Sequence, residues 1–251
     1  MERIDFLGFL YTIYCMRLDV ALVSQNIYPT RARAAAAIHG GLVTINGVVA
    51  TKPSQAVSDT DVLAGGELPY SVGRGSLKLE RALDAFGVNP VGCVCLDIGA
   101  STGGFTSVLL ARGAVRVIAV DVGTNQLVAE LKNDVRVLSL EQTDIRTLHP
   151  VQPVDLVVID VSFISLADIV PVLRAWGARD VIALIKPQFE VPRNVAARSA
   201  GIIKSHQWHG YAINRATDAF RDAGCVRAGL IESPIHGGSG NVEFLAHFVA
   251  A

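Results

Sequence analysis

The stretch Leu96-Asp97-Ile98-Gly99-Ala100-Ser101-Thr102-Gly103-Gly104-Phe105-Thr106 constrains the fold of this chain more than any other. An apolar run, Val94 to Ile98, ends in an acid and a glycine-rich turn, after which Phe105 to Arg112 reads as a helix. Strand, tight loop and helix N-terminus in that order form a ligand cradle in α/β proteins.

Three ligand chemistries compete for such a loop. A nicotinamide fingerprint, G-x-G-x-x-G, needs its middle glycine for backbone to approach a pyrophosphate, and Ser101 stands there instead. The letters Gly99 to Gly103 also spell the G-x-S-x-G elbow of hydrolases, with Ser101 as nucleophile and His236 or His247 as candidate base. That elbow follows several strands of its sheet, and here there is barely room for one before it. The third reading is S-adenosylmethionine, held over the loop by its methionine part, with a carboxylate one strand later for the ribose diol. Asp121, ending Val117-Ile118-Ala119-Val120, is placed about 20 residues on, as a ribose partner must be.

The 251 residues, 51% hydrophobic and 18% charged, suffice for a large core in one or two domains. A net charge of −1 gives no global field for nucleic acid, so any such binding needs a local patch. Cys15, Cys93, Cys95 and Cys225 lack metal spacing. Cys93 and Cys95, alternating in a strand, read as buried thiols in a reducing cytoplasm. His206 and His209 have no acid or cysteine partner nearby, and no metal is expected. Since no apolar run approaches the roughly 18 residues of a membrane span, none is expected here. Residues 1–15 lack the basic start and small-residue cleavage site of a signal and read as an N-terminal extension or a misplaced start.

From Arg17 to Ser24 the pattern predicts a short helix. Thr30 is placed to cap an alanine-rich helix, Arg31 to His39, which Gly40-Gly41 stops. Leu42 to Val49 alternates around Asn46-Gly47, a hairpin signal. Arg17, Arg31, Arg33 and Lys52 face Asp19 alone, a local basic excess. An ordinary small α+β module with solvated arginines would read the same way. The sequence R-L-D-x-x-L, then T-R-A-R-A-A, I-x-x-G-x-V-x-I-N-G and a following K-P resembles an S4 RNA-binding domain, spanning residues 16–58. The resemblance implies that Arg17, Arg31, Arg33 and Lys52, together with Arg74 further on, contact structured RNA.

Residues 59–75 have turn composition and read as a linker. Ser76 is placed to cap a helix whose apolar positions Leu79, Ala82, Leu83 and Phe86 form one stripe; Lys78 lies off it and reads as a surface charge. Strand and helix then alternate: Val94–Ile98, Val115–Val120, Val135–Leu138, Val154–Ile159 and Val181–Ile185 are continuous apolar runs, as buried parallel strands are, closed by Val226–Ile231 and Val242–Val249. The prediction is a doubly wound α/β domain over residues 76–251, with ligands at the carboxyl ends of the strands. Asp97, Asp121, Asp160 and Lys186 stand at four such ends. Asp160 with Lys186 is read either as a structural ion pair or as proton-transfer machinery.

This half resembles the FtsJ-like ribose 2′-O-methyltransferases, Rossmann-like enzymes with a lysine–aspartate–lysine–glutamate tetrad. Lys78 in R-G-S-L-K-L-E matches the first lysine, Asp160 in V-V-I-D-V-S-F-I-S-L the aspartate, Lys186 in L-I-K-P-Q-F-E the second lysine and Glu243 in G-N-V-E-F-L the glutamate. Asp97, Gly99, Ala100, Ser101, Gly103, Gly104, Phe105, Asp121, Val122 and Asp144 are the implied S-adenosylmethionine contacts. An S4 domain joined to this set is similar to the TlyA family, ribosomal RNA cytidine 2′-O-methyltransferases also described as haemolysins. That implies ribosomal RNA or ribosomal subunits as partner. Two blocks depart from the family pattern: Gly73 and Ser76 are exchanged in kind before Lys78, and Glu141-Gln142-Thr143-Asp144 lacks the arginine of E-R-T. A membrane-lytic role has no long amphipathic basic helix to support it.

Overall fold

The computed structural model describes residues 15–28, 31–39, 41–66 and 75–251. Nearly all of the expected N-terminal extension, the Thr30 cap, the Arg33 side chain and Arg74 lie outside them. The chain forms two compact units, Met1–Leu68 and Pro69–Ala251.

In the first unit, β1 (Met16–Arg17) leads into α1 (Leu18–Ser24), followed by α2 (Arg31–His39). Ala34, Ala37 and Ile38 recur at helical spacing and are buried against Leu18 and Leu22. The hairpin forms as expected from β2 (Val43–Ile45) and β3 (Val48–Val49). Asn46 and Gly47, at φ 51° and 82°, supply the two left-handed residues of its turn. Then come β4 (Ala56–Val57), antiparallel to β1, and β5 (Leu63–Gly65), antiparallel to β2.

β5 corrects the linker, because residues 59–66 are part of the module. Asn46 donates to Asp61 at 2.7 Å and accepts the Val62 N–H at 2.9 Å, and Tyr28 donates to the Gly66 carbonyl at 2.6 Å. A three-residue strand is too short to show a period of two. Gly65 is needed where it stands, since a Cβ there would lie 2.6 Å from Ile27.

The second unit opens on α3 (Ser76–Phe86). Gly75 before it is already helical, so Ser76 is the buried first helical residue and not the cap. Gly87, at φ 66°, ends the helix in the left-handed conformation. There follow β6 (Val94–Ile98), α4 (Gly104–Ala111), β7 (Arg116–Val120), α5 (Ala129–Lys132), β8 (Val137–Leu140), β9 (Leu156–Ile159), α6 (Val170–Leu173), β10 (Asp180–Ile185), α7 (Pro187–Glu190), α8 (Arg193–Arg198), α9 (His206–Asp222), β11 (Cys225–Glu232) and β12 (Phe244–Ala250). β8 begins two residues later than the apolar run suggests, and Val135 is exposed. Cys95 is buried, whereas Cys93 precedes β6 and is partly exposed.

The seven strands order as β11-β12-β10-β9-β6-β7-β8. The five from β10 to β8 are parallel, and β12 and β11 are antiparallel additions. Alternation along β6 sends Leu96 and Ile98 into the core with Trp176, Phe220 and Phe248, and Cys95 into the opposite core with Leu79, Phe105 and Leu109. After β6 the chain builds outward through β7 and β8, then returns to place β9 on the other side of β6. The crevice between β6 and β9 is therefore the switch point where such sheets bind ligands. No described helix is long and apolar enough to cross a membrane.

Candidate active site

The loop after β6 is pressed onto the end of β9. Gly99, at φ 82°, has no room for a side chain, because a Cβ would lie 2.5 Å from the Asp160 carbonyl oxygen. Ser101, also left-handed at φ 47°, donates its N–H to Asp121 Oδ2 at 2.8 Å. The Gly123 N–H donates to Asp121 Oδ1 at 2.7 Å. Asp121 thus joins the first two strand-end loops, and each of its oxygens keeps a lone pair for another donor.

Asp97 lies beneath the loop with no exposed surface. Thr106 donates to its Oδ2 at 2.6 Å, while Oδ1 has no partner among the described residues. Burial pushes its carboxyl up to about 7, against the pull of the Thr106 hydrogen bond. That hydrogen bond ties the end of β6 to the first turn of α4.

A cleft of about 960 Å³ runs past Ser101, Asp121, Val122, Asp144 and Asp160 to Phe189. Asp144 accepts from Arg146, which holds its carboxyl below the usual range and itself lines the cleft. Glu141 accepts the N–H groups of Asn125, Gln126 and Leu127 and pairs with Lys132 at 2.9 Å. The Lys132 hydrogen bond, helped by those N–H groups, lowers it to about 2. The loop after β7 is shaped by that carboxylate.

A second pocket, of about 320 Å³, adjoins the same loop and is lined by Lys78, Asp160, Phe105, Ala100 and Gly104. Gly103, the left-handed residue before α4, is packed on Leu127 and Leu131. Lys78 is not a surface charge: it is 8% exposed and lies 2.6 Å from Glu243, which is 3% exposed. Lys186 lies 2.7 Å from Asp160 Oδ1 and also donates to Ser162 Oγ at 2.8 Å. Glu243 reaches Lys78 because Gly237 lacks a side chain, a Cβ there meeting Glu243 Oε1 at 2.3 Å. The four residues from four distant segments thus form two ion pairs, with one member of each, Lys78 and Asp160, lining a shared pocket.

Around them are groups without an assigned role in the sequence reading, although they belong to the blocks that carry the resemblance. Glu190, 1% exposed, accepts from the Ser165 hydroxyl at 2.6 Å and the Leu166 N–H at 2.8 Å. Phe163, 91% exposed and at φ 66°, lies 5.2 Å from Phe189 across the cleft mouth. Asn241 accepts from the Ile203 N–H and donates to the Gly201 carbonyl, fixing the chain just before Glu243.

The hydrolase alternative loses one of its bases, since His247 pairs with Asp180 at the amino end of β10, away from the strand ends that hold Ser101. In the first unit, Asp19 is 4% exposed and binds both Arg17, at 2.9 Å, and Arg31, at 2.8 Å. Burial opposes its charge, yet the two guanidinium hydrogen bonds keep its carboxyl below the ordinary value. Arg17 and Arg31 keep 51% and 59% of their side-chain surface, and Lys52 is exposed.

An FtsJ-like methyltransferase family model matches residues 71–249 and an S4 domain model residues 16–63. The chain is 43% identical to the 16S/23S rRNA (cytidine-2'-O)-methyltransferase TlyA of Mycobacterium tuberculosis, over 91% of this chain and 87% of that protein. It is 39% identical to Hemolysin A of Brachyspira hyodysenteriae, over 93% of this chain and all of that one. A solved hemolysin-named structure from Streptococcus thermophilus superposes with a TM-score of 0.69 at 42% identity, covering 96% of this chain and 90% of that one. Two descriptions, methyltransferase and hemolysin, thus attach to relatives of nearly full length. With both domain matches in one chain and identity above 40% over most of its length, the protein belongs to the TlyA family of S4-domain, FtsJ-like methyltransferases.

Proposed function

We propose that this chain transfers a methyl group from S-adenosylmethionine to a ribose 2′-hydroxyl of ribosomal RNA, with cytidine, the nucleoside in its relatives' names, as the target. The observation that carries this reading is the pair Lys186–Asp160 at the ligand edge of β9 and β10, beside the Gly99–Ser101 loop. The cofactor fits the chain: the large cleft suits an adenosine in volume, and Asp121 offers lone pairs to a diol. Val122 and Asp144 line the adenine side, and the Gly99–Gly104 loop would lie under the methionine part.

Bound there, S-adenosylmethionine would supply an electrophilic sulfonium methyl, its carbon–sulfur bond giving way to an oxygen–carbon bond with the electrons left on sulfur. The chain's task is to align the ribose hydroxyl and remove its proton. Lys186 accepts that proton, and Asp160 stabilises the ammonium that results. Lys78, neutralised by Glu243, places a positive group beside the pocket without adding net charge to it. Phe163 and Phe189 offer a base an aromatic face at the cleft mouth. Arg17, Arg31 and Lys52 present positive charge to an RNA backbone, and the same assignment extends to Arg33 and Arg74. Acting on ribosomes, the protein works in the cytoplasm.

The test is incubation of isolated small and large ribosomal subunits with a tritiated methyl donor and the full chain. Label in the RNA of either subunit supports the reading; label in neither, with both subunits unmodified beforehand, contradicts it. A membrane-active role has no supporting observation among the described residues.

A further inference from the structure

Two hydrogen bonds hold the Lys186 amine, and only one of them goes to a member of the tetrad. Nζ donates to Asp160 Oδ1 at 2.7 Å and to Ser162 Oγ at 2.8 Å. Ser162 is exposed, so burial does not force this contact. The loop around it does. Phe163 follows in the left-handed region at φ 66°, a strained conformation for a bulky residue that persists only where its surroundings over-determine it. Two ties from α7 supply that constraint: the Phe163 ring lies against Phe189, and buried Glu190 takes the Ser165 hydroxyl and the Leu166 N–H. Residues 160–166 are thereby fastened to the short helix that begins immediately after Lys186.

We propose that Ser162 is a positioning residue that aims Lys186 at the ribose hydroxyl, an inference that rests on the ribose-methylation reading above. A neutral amine has two N–H bonds and one lone pair. When Asp160 and Ser162 accept both N–H groups, the lone pair takes the remaining direction of the tetrahedron. In the proton transfer the 2′-O–H bond breaks and an N–H bond forms on Lys186, giving an ammonium that keeps both acceptors. An uncharged hydroxyl suits this task better than a second carboxylate would, because it orients the amine without adding a charge that favours the protonated form. Among the described residues Lys78 donates to Glu243 and to no hydroxyl, and Lys186 is accordingly the base.

The experiment compares full-length wild type, Ser162→Ala and Ser162→Thr in methylation of isolated ribosomal subunits with tritiated S-adenosylmethionine. Ser162→Ala is expected to lower kcat between about 10- and 100-fold, the scale of a misaligned catalytic group. KM for subunits and Kd for S-adenosylmethionine should stay within about twofold of wild type, and Ser162→Thr, which keeps the hydroxyl, should recover most of kcat. A Ser162→Ala enzyme with the wild-type kcat, or a Ser162→Thr enzyme as slow as Ser162→Ala, overturns the positioning role alone. Wild type that labels neither subunit overturns the underlying reading, and the inference with it.

Discussion

Lys78 and Glu243 are 165 residues apart in the chain and 2.6 Å apart in the fold, both buried. Removing one partner strands a charge, whereas removing both does not. Glu243→Ala should therefore cost about 3–5 kcal/mol in denaturant unfolding. Lys78→Met combined with Glu243→Leu should recover much of that stability while remaining inactive. A single variant as stable as wild type would show that the pair is solvated. Gly237→Ala should behave as a milder Glu243 variant, since its methyl displaces the carboxylate.

Cofactor affinity should separate Asp121 from Lys186. Asp121→Ala loses both a ribose partner and the anchor of the Ser101 and Gly123 N–H groups. Titration calorimetry is expected to show weaker S-adenosylmethionine binding by about tenfold or more for Asp121→Ala, the cost of one or two charge-assisted hydrogen bonds. Lys186→Ala should bind as wild type does. Equal affinity in both variants removes Asp121 from the ribose role.

Asp97 gives a pH signature in the protein without cofactor. Its carboxyl is raised to about 7 from 3.8, so the folded chain holds a proton through a range where the unfolded chain has released it. The stabilisation is complete below the unfolded value and is lost as pH rises through about 7. Asp97→Asn, which cannot ionise, should gain stability relative to wild type on going from pH about 4 to about 8, by an amount on the order of a few kcal/mol. Urea midpoints of the two proteins at both pH values measure it, and parallel curves would rule out a protonated Asp97.

In the S4 unit, Arg31→Ala should weaken RNA binding and reduce the slope of log K against log salt by about one, the signature of a lost phosphate contact. Asp19→Asn is predicted to act on stability instead, because Asp19 is the buried end of both arginine pairs. An unchanged salt slope in Arg31→Ala would assign that arginine to Asp19 alone.

The doubly wound sheet is visible in the sequence because each buried parallel strand is a continuous apolar run bounded by polar or turn residues, and the hairpin because Asn46-Gly47 dictates its turn. β5 is not, since three residues ending in Gly65 carry no alternation. The helical phase of α3 places Lys78 off the apolar stripe, and nothing local shows that Glu243 arrives from the far end of the chain to bury it. Ser162 and Glu190 stand in the quoted blocks, yet their roles depend on a hydrogen-bond geometry that spacing does not contain. The family resemblance singles out the four residues that the fold pairs as Lys78–Glu243 and Lys186–Asp160, while strand-end position alone leaves Asp160 and Lys186 open to a purely structural reading.

The central claim is that the methylated atom is a ribose oxygen and that Lys186 removes its proton. Alkaline cleavage of RNA requires a free 2′-oxygen, so the most direct measurement is an alkaline ladder of ribosomal RNA treated with wild type or Lys186→Ala. Wild type should leave one phosphodiester bond at a cytidine uncut, and Lys186→Ala should leave none. A labelled RNA that alkali cuts at every position, or a Lys186→Ala enzyme that protects the same bond at the wild-type rate, would contradict the account.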